Sequence, residues 1–156
     1  MASTLDLSGY KLTFAEEFNS FTWSPDGRAG TTWKTTYQGL TRTLSNNGER
    51  EYYSDATVGV DPFKLVDGAL RIEAKPSSGN PLDMPYTSGV ITTENSFAQQ
   101  YGYFEMRAQL PEGQGLWPAF WLLSADKHWP PELDPLEGFG NKPNHVHTGA
   151  ISWPSK

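Results

Sequence analysis

The amino-acid sequence predicts an all-β sandwich, and three observations carry the prediction. Fifteen glycines and twelve prolines are spread along 156 residues, where they punctuate short segments rich in Val, Ile, Thr, Tyr, Phe and Trp, the side chains that suit a pleated, half-buried surface. No window keeps apolar residues at helical spacing for three clean turns. The stretch from Tyr103 to Leu110 alternates: Phe104, Met106, Ala108 and Leu110 fall on one face, and Tyr103, Glu105, Arg107 and Gln109 on the other. No repeat and no linker composition interrupts this rhythm, so residues 1–156 are expected to form one domain. A chain of this length is able to bury about 70% of the surface its unfolded form exposes.

The turns follow from composition. Pro25-Asp26-Gly27, Asn46-Asn47-Gly48, Asp67-Gly68 and Gly79-Asn80-Pro81 combine residues that supply positive φ, preset φ or local side-chain hydrogen bonds. After the alternating strand comes Leu116-Trp117-Pro118-Ala119-Phe120-Trp121-Leu122-Leu123, apolar on both faces and therefore expected as a central strand. Trp117 and Trp121 share parity. Both look into the core or both onto the polar face of Glu105 and Arg107, and periodicity does not choose between the two.

Composition also excludes function classes. The net charge is −6 and no basic run occurs, so the footprint of a phosphate-backbone binder is missing and nucleic acid is not an expected partner. The eight-residue apolar stretch is about half of what a membrane-spanning helix needs. Six Trp, seven Tyr and eight Phe are too many for a chain that fails to collapse. The absence of cysteine rules out disulfides, thiolate metal sites and cysteine nucleophiles. The start, Met-Ala-Ser-Thr-Leu-Asp, has neither a basic n-region nor an apolar h-region, so no secretory signal peptide is expected there.

The most informative stretch is Trp129-Pro130-Pro131-Glu132-Leu133-Asp134-Pro135-Leu136-Glu137. In a regular strand Glu137 would share a face with Leu133, burying a carboxylate beside a leucine at high cost. One extra residue, a β-bulge at Pro135, resets the phase: Leu133 and Leu136 enter the core, and Glu132, Asp134 and Glu137 share the opposite face. Proline suits a bulge because it need not donate a ladder hydrogen bond there. Three acids on one face repel unless protons or cations are shared among them. Retaining glycoside hydrolysis needs such a row, with one ionised carboxylate and one protonated carboxyl roughly 5–5.5 Å apart. On a straight strand the outer glutamates lie about 13 Å apart between backbones, so the chemistry requires a concavely curved sheet. The alternatives are a solvated acidic turn, a set of hard-cation ligands, which lacks the Asp-x-Asp-x-Asp-Gly order of a helix-loop-helix calcium site, and a metal site begun by His145 and His147.

With these motifs in hand, the chain resembles glycoside hydrolase family 16, the group of laminarinases, lichenases and bacterial exopolysaccharide endo-β-glycanases, over roughly residues 7 to 150. The resemblance is carried by Phe14-Ala15-Glu16-Glu17-Phe18-Asn19, Asn47-Gly48-Glu49-Arg50-Glu51-Tyr52-Tyr53, Ser88-Gly89-Val90-Ile91-Thr92-Thr93, Tyr101-Gly102-Tyr103-Phe104-Glu105-Met106-Arg107, the Gly113 to Leu123 segment, and Glu-x-Asp-x-x-Glu at Glu132, Asp134 and Glu137. It implies a concanavalin-like jelly-roll sandwich of two curved antiparallel sheets and retaining endo-hydrolysis of β-1,3 or β-1,4 linkages in an extracellular polysaccharide. Glu132 is then the nucleophile, Glu137 the acid/base and Asp134 the assisting carboxylate. Trp117 and Trp129 resemble aromatic walls for sugar rings, with Trp121 beside them, while Asn47, Glu51 and Arg107 resemble contacts to sugar hydroxyls. Arg107 is equally suited to an ion pair near Glu105. No cofactor is required by the resemblance.

The chain departs from the family pattern in two ways. Pro135 stands where an aliphatic residue is usual, and the bulge either absorbs it or is distorted by it. The family pattern also continues past the position of Lys156 with further strands, and its frequent calcium site uses a late residue that is absent here. Either the chain is a fragment, or a complementing chain or a second copy in a homo-oligomer covers the open sheet edges. Two rival readings are a glycan-binding jelly roll that does not cleave, and an inactive truncated product.

Overall fold

The computed structural model describes residues 5–153. Among these residues there are ten strands, three short 3-10 turns and no α-helix. The contacts divide the chain into two compact units, Met1–Gln100 and Tyr101–Lys156.

The first unit contains β1 (Trp23–Ser24), β2 (Trp33–Lys34), β3 (Glu51–Tyr53), β4 (Phe63–Val66), β5 (Ala69–Ile72), β6 (Lys75–Pro76) and β7 (Tyr86–Ser88). β4 and β5 form a hairpin pairing Val66 with Ala69. Its two-residue loop, Asp67-Gly68, has positive φ at both positions (51° and 73°), the geometry that matches strand twist and that Asp-Gly favours. β6 runs antiparallel to β7, but β1–β2 and β3–β7 are parallel. This corrects the expectation of purely antiparallel sheets: a side-chain period of two reports which face a residue takes and is silent on strand direction. The apolar interior is aromatic, with Phe14 stacked on Phe97 at 4.7 Å and Phe21 against Phe63 at 5.2 Å. Gly89 is required beside this cluster, since a Cβ there would lie 2.7 Å from the Phe63 ring.

The most deeply buried side chains of this unit are polar, and one of them, Asp55, gathers four donors. Asp55 accepts from Thr35 Oγ1 at 2.8 Å, Arg42 Nη2 at 2.8 Å, the Thr57 backbone N–H at 2.9 Å and the Thr57 hydroxyl. Arg42 also donates to the Tyr53 carbonyl at 2.9 Å. Burial alone would raise the Asp55 carboxyl, but the bonds from Thr57, Thr35 and Arg42 outweigh it and hold the group below its ordinary value.

The second unit contains one antiparallel sheet in the order β10-β9-β8, built from β8 (Ala119–Leu123), β9 (Glu132–Gly138) and β10 (Val146–Ile151). β8 begins at Ala119, but the pairing continues beyond it, with Gly138 N–H donating to the Pro118 carbonyl at 2.9 Å and Gly140 N–H to the Leu116 carbonyl at 2.8 Å. Gly140 admits this approach because it lacks a Cβ, which would sit 2.3 Å from the Gly113 oxygen. The expected strand from Tyr103 to Leu110 is not formed: it carries no ladder and Tyr103, Phe104 and Met106 are exposed. Alternation prepares a face, but a strand exists only where a neighbour accepts its hydrogen bonds, and among the described residues none does.

Candidate active site

β9 carries the acids, and its register with both neighbours reveals their arrangement. Against β10, Glu132 lies opposite Ile151, Asp134 opposite Gly149 and Glu137 opposite His147. Between Asp134 and Glu137, two residues of β9 thus face one residue of β10, Thr148. Against β8, Leu133 lies opposite Leu122 and Leu136 opposite Phe120, with the same extra residue. The one position common to both irregular intervals is Pro135, so the bulge forms there and absorbs the proline. Ile151, Gly149 and His147 share parity in β10, and directly opposed residues share a face. Glu132, Asp134 and Glu137 therefore lie on one face, with Ala119, Trp121 and Leu123 of β8. Phe120, Leu122, Leu133, Leu136 and Ala150 occupy the other.

The burial of two residues runs against the sequence expectation. Asp134 is only 6% exposed, whereas Leu133 on the supposed core face is 49% exposed. The leucines do alternate away from the acids, but among the described residues of this unit only one sheet is formed. Asp134 finds its space over Gly149, where a Cβ would meet the Asp134 carboxylate oxygen at 3.4 Å.

The electrostatics of the row are unlike those of Asp55. Burial raises the Glu132 carboxyl above its ordinary value, and the charges of Asp134 and Glu137 and a hydrogen bond with Asp134 raise it further. The Trp129 indole N–H, donating to Glu132 Oε2, acts in the opposite sense. No Lys or Arg pairs with any of the three acids among the described residues.

The acid face continues into an aromatic cleft. Since Ala119 opposes Glu137, the extended pairing sets Trp117 opposite Phe139, and their rings stack at 6.0 Å. Phe139 in turn meets the His147 ring edge-on at 5.1 Å. A cleft of about 430 Å³ opens here, lined by Gln114, Leu116, Trp117, Phe139, Asn141 and Lys142.

Comparison with known proteins gives the family. The family model of glycosyl hydrolases family 16 matches residues 29–152. The chain belongs to glycosyl hydrolase family 16. Two relatives from Rhizobium meliloti (strain 1021), the endo-1,3-1,4-beta-glycanases EglC and ExsH, are each 45% identical, over 91% and 92% of this chain and 32% and 33% of their own lengths. A beta-glucanase of Rhodothermus marinus is 36% identical over 65% of this chain and 36% of its own. The chain spans about a third of the length of the Rhizobium relatives it matches. No solved structure matches it.

Within this family member, the residues singled out from sequence fall into two groups. Glu132, Asp134, Glu137, Trp117 and Trp121 share one face of the second unit, which decides the parity left open for the tryptophans. Trp129, 59% exposed, precedes the strand and bonds Glu132. Arg107 is exposed in the same unit and forms no ion pair with Glu105 among the described residues; Glu105 instead accepts from the Tyr103 hydroxyl at 3.0 Å. Asn47 and Glu51 belong to the first unit. There Asn47 ends a 3-10 turn, while Glu51 accepts from the Tyr53 hydroxyl at 2.9 Å and the Arg50 N–H at 3.0 Å. His145 lies in the turn before β10 and His147 within it, and no group of three His, Asp or Glu among the described residues is arranged to hold a metal ion. Sequence reading missed Phe139 and the approach of His147 to Glu137. Parity counted onward from the bulge would have found Phe139, two residues beyond Glu137.

Proposed function

We propose that this chain carries the catalytic face of a retaining endo-β-glycanase acting on β-1,3 or β-1,4 linkages of a glucan or exopolysaccharide outside the cell. The observation that carries the reading is the single-residue bulge at Pro135, which gathers two glutamates and an aspartate on one face. In the first step the Glu132 carboxylate attacks the anomeric carbon while Glu137 delivers its proton to the departing glycosidic oxygen, leaving a glycosyl ester on Glu132. In the second, Glu137, now ionised, takes a proton from water as that water displaces the ester and restores Glu132. Asp134 is proposed as the assisting carboxylate. The Trp129 N–H that Glu132 accepts favours the ionised form of Glu132 needed for attack, and Asp134 stands beside it on the same face.

The flanking aromatic groups suit a polymer. Trp117 extends the groove beyond Glu137 and Trp129 beyond Glu132, so flat rings stand at both ends of the acid row, where the apolar faces of pyranoses stack. Asn47, Glu51 and Arg107 are proposed to contact sugar hydroxyls. The test is the release of new reducing ends from a mixed β-1,3-1,4-glucan, measured with the chain and with Glu132→Gln. Release that disappears in the variant supports the proposal. Retention of glucan without release supports the binding-module alternative.

A further inference from the structure

Hydrolysis of a neutral glucan leaves one group in the Trp117 cleft unexplained. Lys142 lines that cleft beside Trp117 and Asn141, and also lines a second cleft of about 220 Å³ with Glu112 and His145. Its backbone is held on both sides: Lys142 N–H donates to the Phe139 carbonyl at 2.7 Å, and its own carbonyl accepts from His145 N–H at 2.9 Å. The lysines of the first unit that form ion pairs find carboxylates, Lys34 with Glu94 and Lys64 and Lys75 with Glu73. Lys142 forms no ion pair among the described residues, although the sequence has 18 acidic residues against 12 basic.

We propose that Lys142 recognises an anionic substituent, a carboxylate in the first instance, on the sugar that stacks against Trp117, and that the preferred substrate is therefore an acidic β-glycan. The inference rests on the hydrolase reading and deepens it. Three acids make the groove hostile to a negatively charged polymer. The Trp117 stack begins about 7 Å along the strand from Glu137, at about 3.3 Å per residue over two residues. Lys142 lines the cleft at that stack, so a negative group on the stacked sugar gains an attraction there. A planar ring orients the sugar, the Asn141 amide serves its hydroxyls and Lys142 its charge, a division of tasks common to selective sugar sites.

The probes are a mixed β-1,3-1,4-glucan and the same glucan carboxymethylated, compared at low salt. The quantity read is the ratio of kcat/KM on the charged glucan to that on the neutral one. The ratio is expected to fall about tenfold in Lys142→Met, in line with the strength of hydrogen bonds to charged groups, to fall further in Lys142→Glu, and to be largely restored in Lys142→Arg. It is also expected to shrink for the unaltered chain in 0.5 M salt, since exposed charges are screened. Gel retardation by each glucan gives the same ratio without turnover, so a chain that binds but does not cleave still tests the role of Lys142. An equal ratio in the unaltered chain and Lys142→Met, by both measurements, overturns the proposal.

Discussion

Two aspartates, Asp55 and Asp134, are both withdrawn from water, and they have opposite surroundings. Asp55 is enclosed by an arginine, two threonine hydroxyls and a backbone N–H, which hold its carboxyl below the ordinary value. Asp134 lies between two glutamates and pairs with no Lys or Arg among the described residues, and the neighbouring Glu132 carboxyl is raised by burial and by like charge. A fold that only needed the charge buried would repeat the first solution. The second retains repulsion that a packed sheet gains nothing from, which favours the proposal that these groups serve proton chemistry.

The contrast is broken most sharply by substituting one acid at each place. Glu132→Gln is expected to lower kcat/KM on β-glucan by about 10⁴-fold or more, the scale seen when a nucleophile is removed, while leaving the chain folded. Asp55→Ala is expected to do the reverse, costing about 3 kcal/mol of stability by stranding the Arg42 guanidinium, as read from denaturant midpoints. Comparable activity loss in both variants with unchanged midpoints would erase the distinction.

The pH dependence of stability has opposite signs at the two places. The folded pKa of Asp55 lies below its unfolded value, so its contribution is complete above about pH 4 and is lost as pH falls through the folded pKa. The folded pKa of Glu132 lies above its unfolded value, so its penalty is absent below the unfolded pKa and develops as pH rises through the folded one. Glu132→Gln is therefore expected to raise Tm at pH 7 and to leave it unchanged near pH 3. A gain that persists at pH 3 would assign the effect to packing. The smallest effect expected is that of Trp129→Phe, which keeps a ring but removes the N–H that favours ionised Glu132. The acidic limb of the pH–rate profile should move to higher pH by a few tenths of a unit.

The same two regions differ in how far the sequence reveals them. The bulge was legible because leucines and acids at positions 132–137 cannot share a single alternating phase, so the break had to fall at the residue that tolerates it, Pro135. The Asp67-Gly68 hairpin was legible for a similarly local reason. The network around Asp55 was not, because Thr35, Arg42 and Thr57 converge from separate loops and no periodicity connects them. The strand expected at Tyr103 to Leu110 and the covered leucine face both failed because each needs a neighbouring element, which a segment's own pattern cannot supply.

The most direct test is to trap the glycosyl ester. Incubating the chain with an activated 2-deoxy-2-fluoro β-glucoside, which forms the ester readily and releases it slowly, should add one sugar mass, and peptide mapping should locate it on Glu132. A label on Glu137 would reverse the assigned roles. A fully folded chain that releases reducing ends from glucan yet never carries the label would contradict the retaining mechanism altogether.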